Sequence, residues 1–176
     1  VTTPASPAIL WRITNTGDFT ELGQTWSEPT ATKIKSTAGA VSDVLVFGAG
    51  YDATVEDEVT TNASTTRTMG RGVFIVNTVT GALIKAFVGT TDGIAHSIPG
   101  NITPVDIDSD GAADRFYAAD TGGNIWRIKY DGGTWSIFKL ASFGGTGADN
   151  RKFMFEPDVV LYDKTTTPKK YAILIG

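Results

Sequence analysis

Four aspartates and one glycine are concentrated in nine residues of the sequence. The aspartates are at positions 1, 3, 5 and 9 of this segment and are Asp106, Asp108, Asp110 and Asp114. The glycine, at position 6, is Gly111. Alternate residues of a tightly curved loop point to the same interior, and glycine permits the sharp turn. Carboxylates held so close together repel one another unless a cation neutralises them. The spacing therefore predicts a cation-binding loop.

The ligands predicted for this loop are all oxygen atoms, which favours Ca²⁺ over zinc or copper. They are the carboxylates of the four aspartates and the backbone carbonyl of Ala112, at position 7. Position 12 is Tyr117 rather than the bidentate glutamate of helix-loop-helix calcium sites, and the residues that follow the loop are strand-like. The missing glutamate predicts weak binding, in the range of roughly 10⁻⁴–10⁻³ M. The alternative is that the aspartates form a solvated turn.

Short apolar or alternating runs flank the acidic loop and recur along the chain. They cover residues 9–13, 44–47, 72–76, 82–88, 115–118, 124–130, 135–140, 158–162 and 171–175. Turn sequences such as Thr80-Gly81 and Asp131-Gly-Gly133 separate several of them. The runs are too short for amphipathic helices, and their length and turn boundaries indicate antiparallel hairpins. The sequence therefore predicts an all-β fold.

Three of the runs form a repeat in which a charged residue precedes an apolar strand and a small-residue exit. The repeats begin at Asp43, Asp114 and Lys170. We interpret each as the inner strand of a β-propeller blade, which predicts about three blades of antiparallel strands. Closed propellers have about four to eight blades. We therefore expect residues 1–176 to form one propeller-like segment of a larger domain, with a polar loop inserted at about 51–69.

Charge and composition exclude several function classes. The net charge is −4, and the longest basic cluster is Lys169-Lys170, so nucleic acid is not an expected partner. The chain has no cysteine, which excludes disulfides and thiolate metal sites. No apolar run approaches the ~20 residues that span a bilayer, so no transmembrane segment is predicted. The chain has a single histidine, His96, and no visible acid–base pair, so no catalytic site is predicted.

Two further residue sets could bind ligands. The first set is the four tryptophans, Trp11, Trp26, Trp126 and Trp135. They could stack on sugar rings, although tryptophans at strand positions more often fill the space between blades. A second acidic run could bind a cation, but it lacks a glycine turn and is better interpreted as a solvated loop: Asp52, Glu56, Asp57 and Glu58. His96 is interpreted as a loop residue.

Five separated motifs resemble the C-terminal propeller domain of PilY-type type IV pilus proteins. They occur in the expected order at residues 21–29, 46–52, 97–99 followed by 105–115, 120–127, and 156–160 leading to 171–176, and include Asp120-Thr-Gly-Gly-Asn-Ile-Trp-Arg127. The resemblance implies a modified β-propeller with a calcium site formed by Asp106, Asp108, Asp110, the Ala112 carbonyl and Asp114. It also implies an exported protein at the bacterial cell surface or pilus tip. Its expected roles are pilus biogenesis, twitching motility and adhesion.

The resemblance implies pilus components such as minor pilins, and a host or surface ligand, as partners. One alternative is a structural or lectin-like propeller segment in which calcium only stabilises the fold. Another is a fragment of a quinoprotein dehydrogenase, which the propeller-like repeats and residues 79–84 would suggest. Many of those enzymes use adjacent cysteines, which this chain lacks. We therefore expect a non-enzymatic protein.

Overall fold

The protein is described here by a computed structural model, which covers residues 6, 8–57, 67–145, 149 and 151–176. Its strands are β1 (Thr30–Lys35), β2 (Val41–Gly48), β3 (Gly72–Asn77), β4 (Leu83–Val88), β5 (Thr103–Val105), β6 (Arg115–Ala119), β7 (Asn124–Asp131), β8 (Thr134–Ser142), β9 (Asp158–Asp163) and β10 (Lys170–Leu174). The helical segments are a 3₁₀ helix at Gly17–Phe19, α1 (Ala53–Glu56) and α2 (Gly89–Asp92). None of the helices in these ranges has the length and apolar character needed to cross a membrane.

The strands form three antiparallel sheets in sequence order. Two have four strands, β1-β2-β3-β4 and β5-β6-β7-β8, and the third pairs β9 with β10. The first strands of the sheets lie next to one another, because β5 contacts both β1 and β9. This arrangement confirms the all-β class and its propeller-like blades. Within the described ranges the three sheets do not close into a ring.

The repeat identified in the sequence corresponds to β2, β6 and β10. Each is the second strand of its sheet in chain order, and its position as the inner strand of a blade stays a prediction. The true first strands β1 and β5 escaped prediction because Thr30–Lys35 buries only Ile34, and Thr103–Val105 is short and contains proline. Residues 9–13 form no strand, although Ile13 packs against the outer face of the first sheet.

The main core lies between the two four-stranded sheets, and β3 shows how the sequence builds it. Side chains alternate across a strand, so Val73 and Ile75 enter the core between the sheets. Phe74 and Val76 point to the opposite face, where they pack with Phe47. A strand that is buried on both faces needs a continuous apolar run, which explains the unbroken apolar sequence of β3.

The polar insertion predicted at about 51–69 is described only at its two ends. Residues 58–66, which include Glu58, lie outside the described residues. Residues 53–56 form α1, which the sequence did not predict. Asp52 and Glu56 are buried, so interpreting them as parts of a solvated loop was wrong. The burial of Glu56 is possible because Arg67, at the far end of the insertion, forms an ion pair with it.

Candidate metal centre

The acidic loop, residues 106–114, connects β5 to β6 within a hairpin. The register pairs Val105 with Arg115, and the backbone N–H of Asp114 donates to the carbonyl of Val105 at 3.1 Å. The chain reverses inside the loop through two residues with positive φ, Ser109 at 69° and Gly111 at 89°. Glycine tolerates this conformation without a Cβ penalty. The turn that we predicted at position 6 is therefore present.

The fold brings three of the predicted ligands together. One carboxylate oxygen from each of Asp106, Asp108 and Asp114 lies within 4.8 Å of the other two. Asp106 and Asp114 are half-buried, whereas Asp108 is exposed. Calcium coordinates oxygen ligands at 2.3–2.6 Å in flexible geometry. Three converging carboxylates are therefore a donor set that fits this ion.

Backbone N–H groups orient two of these carboxylates. Asp106 accepts from Ser109 at 2.6 Å and from Gly111 at 2.8 Å. Asp114 accepts from Ile107 at 2.7 Å. Asp108 is exposed and accepts one longer hydrogen bond, from the backbone N–H of Asp110 at 3.1 Å. The first and last aspartates therefore also maintain the shape of the loop, whereas Asp108 contributes little to it.

The fourth carboxylate, that of Asp110, has a different partner. Its Oδ2 accepts from Nζ of Lys35 on β1 at 2.8 Å, and its Oδ1 accepts from the N–H of Ala112 at 2.9 Å. These two hydrogen bonds hold the pKa of Asp110 below its ordinary value. Asp110 is not part of the converging group of three. Calcium ligation by Asp110 and by the Ala112 carbonyl stays a prediction.

Neighbouring sheets hold the acidic loop in place. The N–H of Ala113 donates to the carbonyl of Lys33 on β1 at 2.7 Å. Nζ of Lys169, immediately before β10, donates to the carbonyl of Ile107 at 2.8 Å. Both contacts join residues far apart in the sequence. The loop therefore lies where groups from all three sheets meet.

The other candidate residues have different environments. Trp126 is buried, and Trp135 packs against Phe116 and Tyr130 in the core between the sheets, as we expected for tryptophans between blades. Trp26 is 72% exposed and departs from that expectation. His96 lies outside the strands, as interpreted from the sequence.

A buried polar cluster surrounds Glu56 and was not predicted from the sequence. Its carboxylate pairs with Arg67, accepts from the hydroxyl of Thr121 at 2.6 Å and lies 3.6 Å from Nζ of Lys152. The cluster joins α1 to the turn after β6 and to the segment before β9. Only one signal was available in the sequence, the apolar residue Val55 within the acidic run, which also lies in the interior.

Comparisons with known proteins give one consistent relationship, although no protein-family model matches the chain. It is 30% identical over 135 residues to the "Type IV pilus biogenesis factor PilY1 homolog" of Xylella fastidiosa, a match that covers 70% of this chain and 8% of that protein. It is 33% identical over 137 residues to the "Type IV pilus biogenesis factor PilY1" of Pseudomonas aeruginosa, a match that covers 76% of this chain and 10% of that protein. The matched segment thus spans a tenth or less of these curated relatives.

A solved structure extends the relationship to the fold. The crystal structure of the Pseudomonas aeruginosa PilY1 C-terminal domain superposes with a TM-score of 0.61 at 23% identity. The superposition covers 99% of this chain and 36% of that one. These findings support the resemblance inferred from the sequence motifs. The chain is therefore similar in sequence to segments of PilY1 proteins and has the fold of part of the PilY1 C-terminal domain.

Proposed function

We propose that the chain is a calcium-binding, propeller-like module of a type IV pilus-associated surface protein. The observation that carries the calcium proposal is the convergence of Asp106, Asp108 and Asp114 in a loop that has the spacing of calcium ligands. The pilus proposal is supported by the names of the similar proteins, which are pilus biogenesis factors. We further propose that residues 1–176 form a single segment of a larger domain.

Calcium would act on this loop mainly by removing charge repulsion. Bound between Asp106, Asp108 and Asp114, it would neutralise three carboxylates that are otherwise held close together. Asp110 and the Ala112 carbonyl would complete the ligand set once the ammonium of Lys35 moves away from Asp110. Because groups from three sheets contact the loop, ordering it would also stabilise the packing between sheets.

The wider role follows from the same proposal. We place the module in an exported protein at the bacterial surface or pilus tip, where it would act in pilus biogenesis, twitching motility and adhesion. Its proposed partners are pilus components such as minor pilins and a host or surface ligand. The similar proteins are named as biogenesis factors rather than enzymes, and the proposal includes no catalytic activity.

Isothermal titration of the purified chain should show one calcium ion bound with a dissociation constant of roughly 10⁻⁴–10⁻³ M. At 10 mM calcium, binding of this strength should raise the melting temperature by about 3–10 °C relative to chelator. The Asp108→Ala variant should lose most of the heat of calcium binding. Asp108 is the best test residue because it is exposed and its one backbone hydrogen bond, at 3.1 Å, is longer than the one to Asp114 at 2.7 Å, so its loss leaves the loop backbone supported.

The matched control is Asp18→Ala, which removes an exposed aspartate outside the loop. It should bind calcium like the wild type. If wild-type chain with a normal melting curve gives neither heat nor a melting shift, the acidic loop is a turn and the calcium proposal is wrong. Equal loss of binding in Asp18→Ala and Asp108→Ala would show only a general charge effect.

Replacing Lys35 by methionine should strengthen calcium binding by about two- to fivefold at low salt. The ammonium repels the incoming cation and competes for Asp110, with Nζ and Oδ2 at 2.8 Å. The measurement is the calcium titration repeated at low and high salt. Lys129→Met, which removes the lysine of an exposed pair with Asp131, is the control and should leave affinity unchanged. Weaker binding by Lys35→Met would contradict this role.

A further inference from the structure

A groove lies beside exposed Trp26, on a surface separate from the acidic loop. One wall is formed by Trp26 and Glu28, and the other is residues 154–156, where Phe155 is 71% exposed and Met154 is 40% exposed. The groove has a volume of about 420 Å³. Trp26 and Met154 also line an adjoining depression, of about 260 Å³, together with Tyr51 and Asp57. Exposed apolar side chains that lie together, as Trp26, Met154 and Phe155 do around this groove, often mark binding surfaces.

Hydrogen bonds hold the two walls at a set separation. The side chain of Asn101 bridges them, because its Oδ1 accepts from the backbone N–H of Glu28 at 2.7 Å and its Nδ2 donates to Oε1 of Glu156 at 3.2 Å. The hydroxyl of Thr103 donates to the carbonyl of Pro157 at 2.6 Å and attaches the second wall to β5. The groove is therefore formed before any partner binds, which lowers the entropic cost of binding.

The lining of the groove is negatively charged. Glu28 and Glu156 line it, and Asp57 lines the adjoining depression, while no lysine or arginine contributes to either among the described residues. None of these three carboxylates forms an ion pair with a described residue. Tyr51 donates to Asp57 at 2.9 Å, and burial together with this hydrogen bond raises the pKa of Tyr51 to about 12. Tyr51 is neutral at pH 7 and adds no positive charge to the depression.

We propose that this groove binds a lysine- or arginine-bearing segment of a partner protein, with the cationic side chain over Trp26 and beside Glu28 and Glu156. A cation is attracted to the face of an indole ring and to carboxylates at the same time. A neutral sugar could stack on Trp26 but would gain nothing from the negative charge of Glu28 and Glu156. The proposal concerns a different surface from the calcium loop and does not rest on calcium binding.

The test uses two fluorescently labelled, end-blocked heptapeptides that alternate glycine with arginine or with citrulline, the neutral analogue of arginine. Binding to the whole chain is measured by fluorescence anisotropy at one fixed calcium concentration. The arginine peptide should bind at least about tenfold more tightly than the citrulline peptide, and high salt should weaken it. Trp26→Ala should weaken binding by about two- to fivefold, whereas Trp26→Tyr retains most of it. The double variant Glu28→Gln, Glu156→Gln should remove most of the preference for arginine.

Two controls separate the groove from general charge and general exposure. Asp18→Asn removes an exposed carboxylate outside the groove, and Tyr162→Ala removes an aromatic ring that is 75% exposed on β9. Both should bind the arginine peptide like the wild type. Equal affinity for the two peptides, or binding unchanged by Trp26→Ala, would overturn the proposal. It would also be overturned if Trp26 were needed instead for binding chito-oligosaccharides or for self-association in size-exclusion chromatography.

Discussion

The Glu56→Ala variant is expected to lose about 3–5 kcal/mol of unfolding free energy, because it breaks a buried ion pair by removing one of its two partners. The side chains of Glu56 and Arg67 are 0% and 2% exposed and are joined through both carboxylate oxygens. Thr121 and Lys152 converge on the same glutamate. Urea unfolding at pH 7, followed by tryptophan fluorescence, measures the loss.

Stability of the wild-type protein should also depend on pH through this residue. Burial alone would raise the pKa of Glu56, but hydrogen bonds from Arg67 and Thr121 and the charge of Arg67 outweigh it and lower the pKa to about 2. The ordinary value is 4.5, so the folded state binds the proton less readily than the unfolded state. The ionised Glu56 therefore contributes about 3 kcal/mol to the unfolding free energy. This contribution is complete above pH ~4.5 and is lost as the pH falls towards 2. The Glu56→Gln variant should lack this pH-dependent part of the unfolding free energy.

An exposed ion pair provides the control for Glu56. Asp131→Ala removes the partner of Lys129 in a pair whose side chains are 48% and 70% exposed, and should cost less than about 1 kcal/mol. A second variant, Glu56→Leu with Arg67→Met, removes both buried charges and should recover much of the loss. If Glu56→Ala costs no more than Asp131→Ala, the buried pair does not hold α1 in place.

Asp120→Ala is expected to destabilise the protein by about 3 kcal/mol, because it leaves several buried donors without an acceptor. Oδ1 of Asp120 accepts from the backbone N–H groups of Gly122 and Asn124, both at 2.9 Å. Oδ2 accepts from Nδ2 of Asn124 at 2.9 Å and from Nε1 of Trp126 at 2.7 Å. This carboxylate therefore organises the turn between β6 and β7. Thermal and urea unfolding measure the effect.

A double-mutant cycle tests whether the loss arises from these hydrogen bonds. Trp126→Phe removes one donor and should cost about 1 kcal/mol or more by itself. The same change should cost less in the Asp120→Ala background, with a coupling of about 1 kcal/mol. Fully additive losses would mean that the Asp120–Trp126 hydrogen bond contributes nothing. Asp18→Ala, an exposed aspartate, is the control and should stay within about 0.5 kcal/mol of the wild type.

Features encoded by neighbouring residues could be predicted from the sequence. The alternation and turn residues of β7 and β8 identified a hairpin, and the spacing of residues 106–114 identified a turning acidic loop. Both depend on interactions a few residues apart, so the local sequence contains the information. The repeat was also visible, because β2, β6 and β10 occupy equivalent positions in their sheets.

The sequence by itself thus determined the all-β class, the series of blade-like hairpins and the position of the acidic loop. Only the tertiary structure decided that Asp110 faces Lys35, that Glu56 lies in the interior, and that Trp26 is exposed. Lys35 and Asp110 are 75 residues apart, and Glu56 and Thr121 are 65 residues apart. Whether a charge is solvated or paired depends on which groups the packed sheets bring against it, and a local pattern does not contain that information.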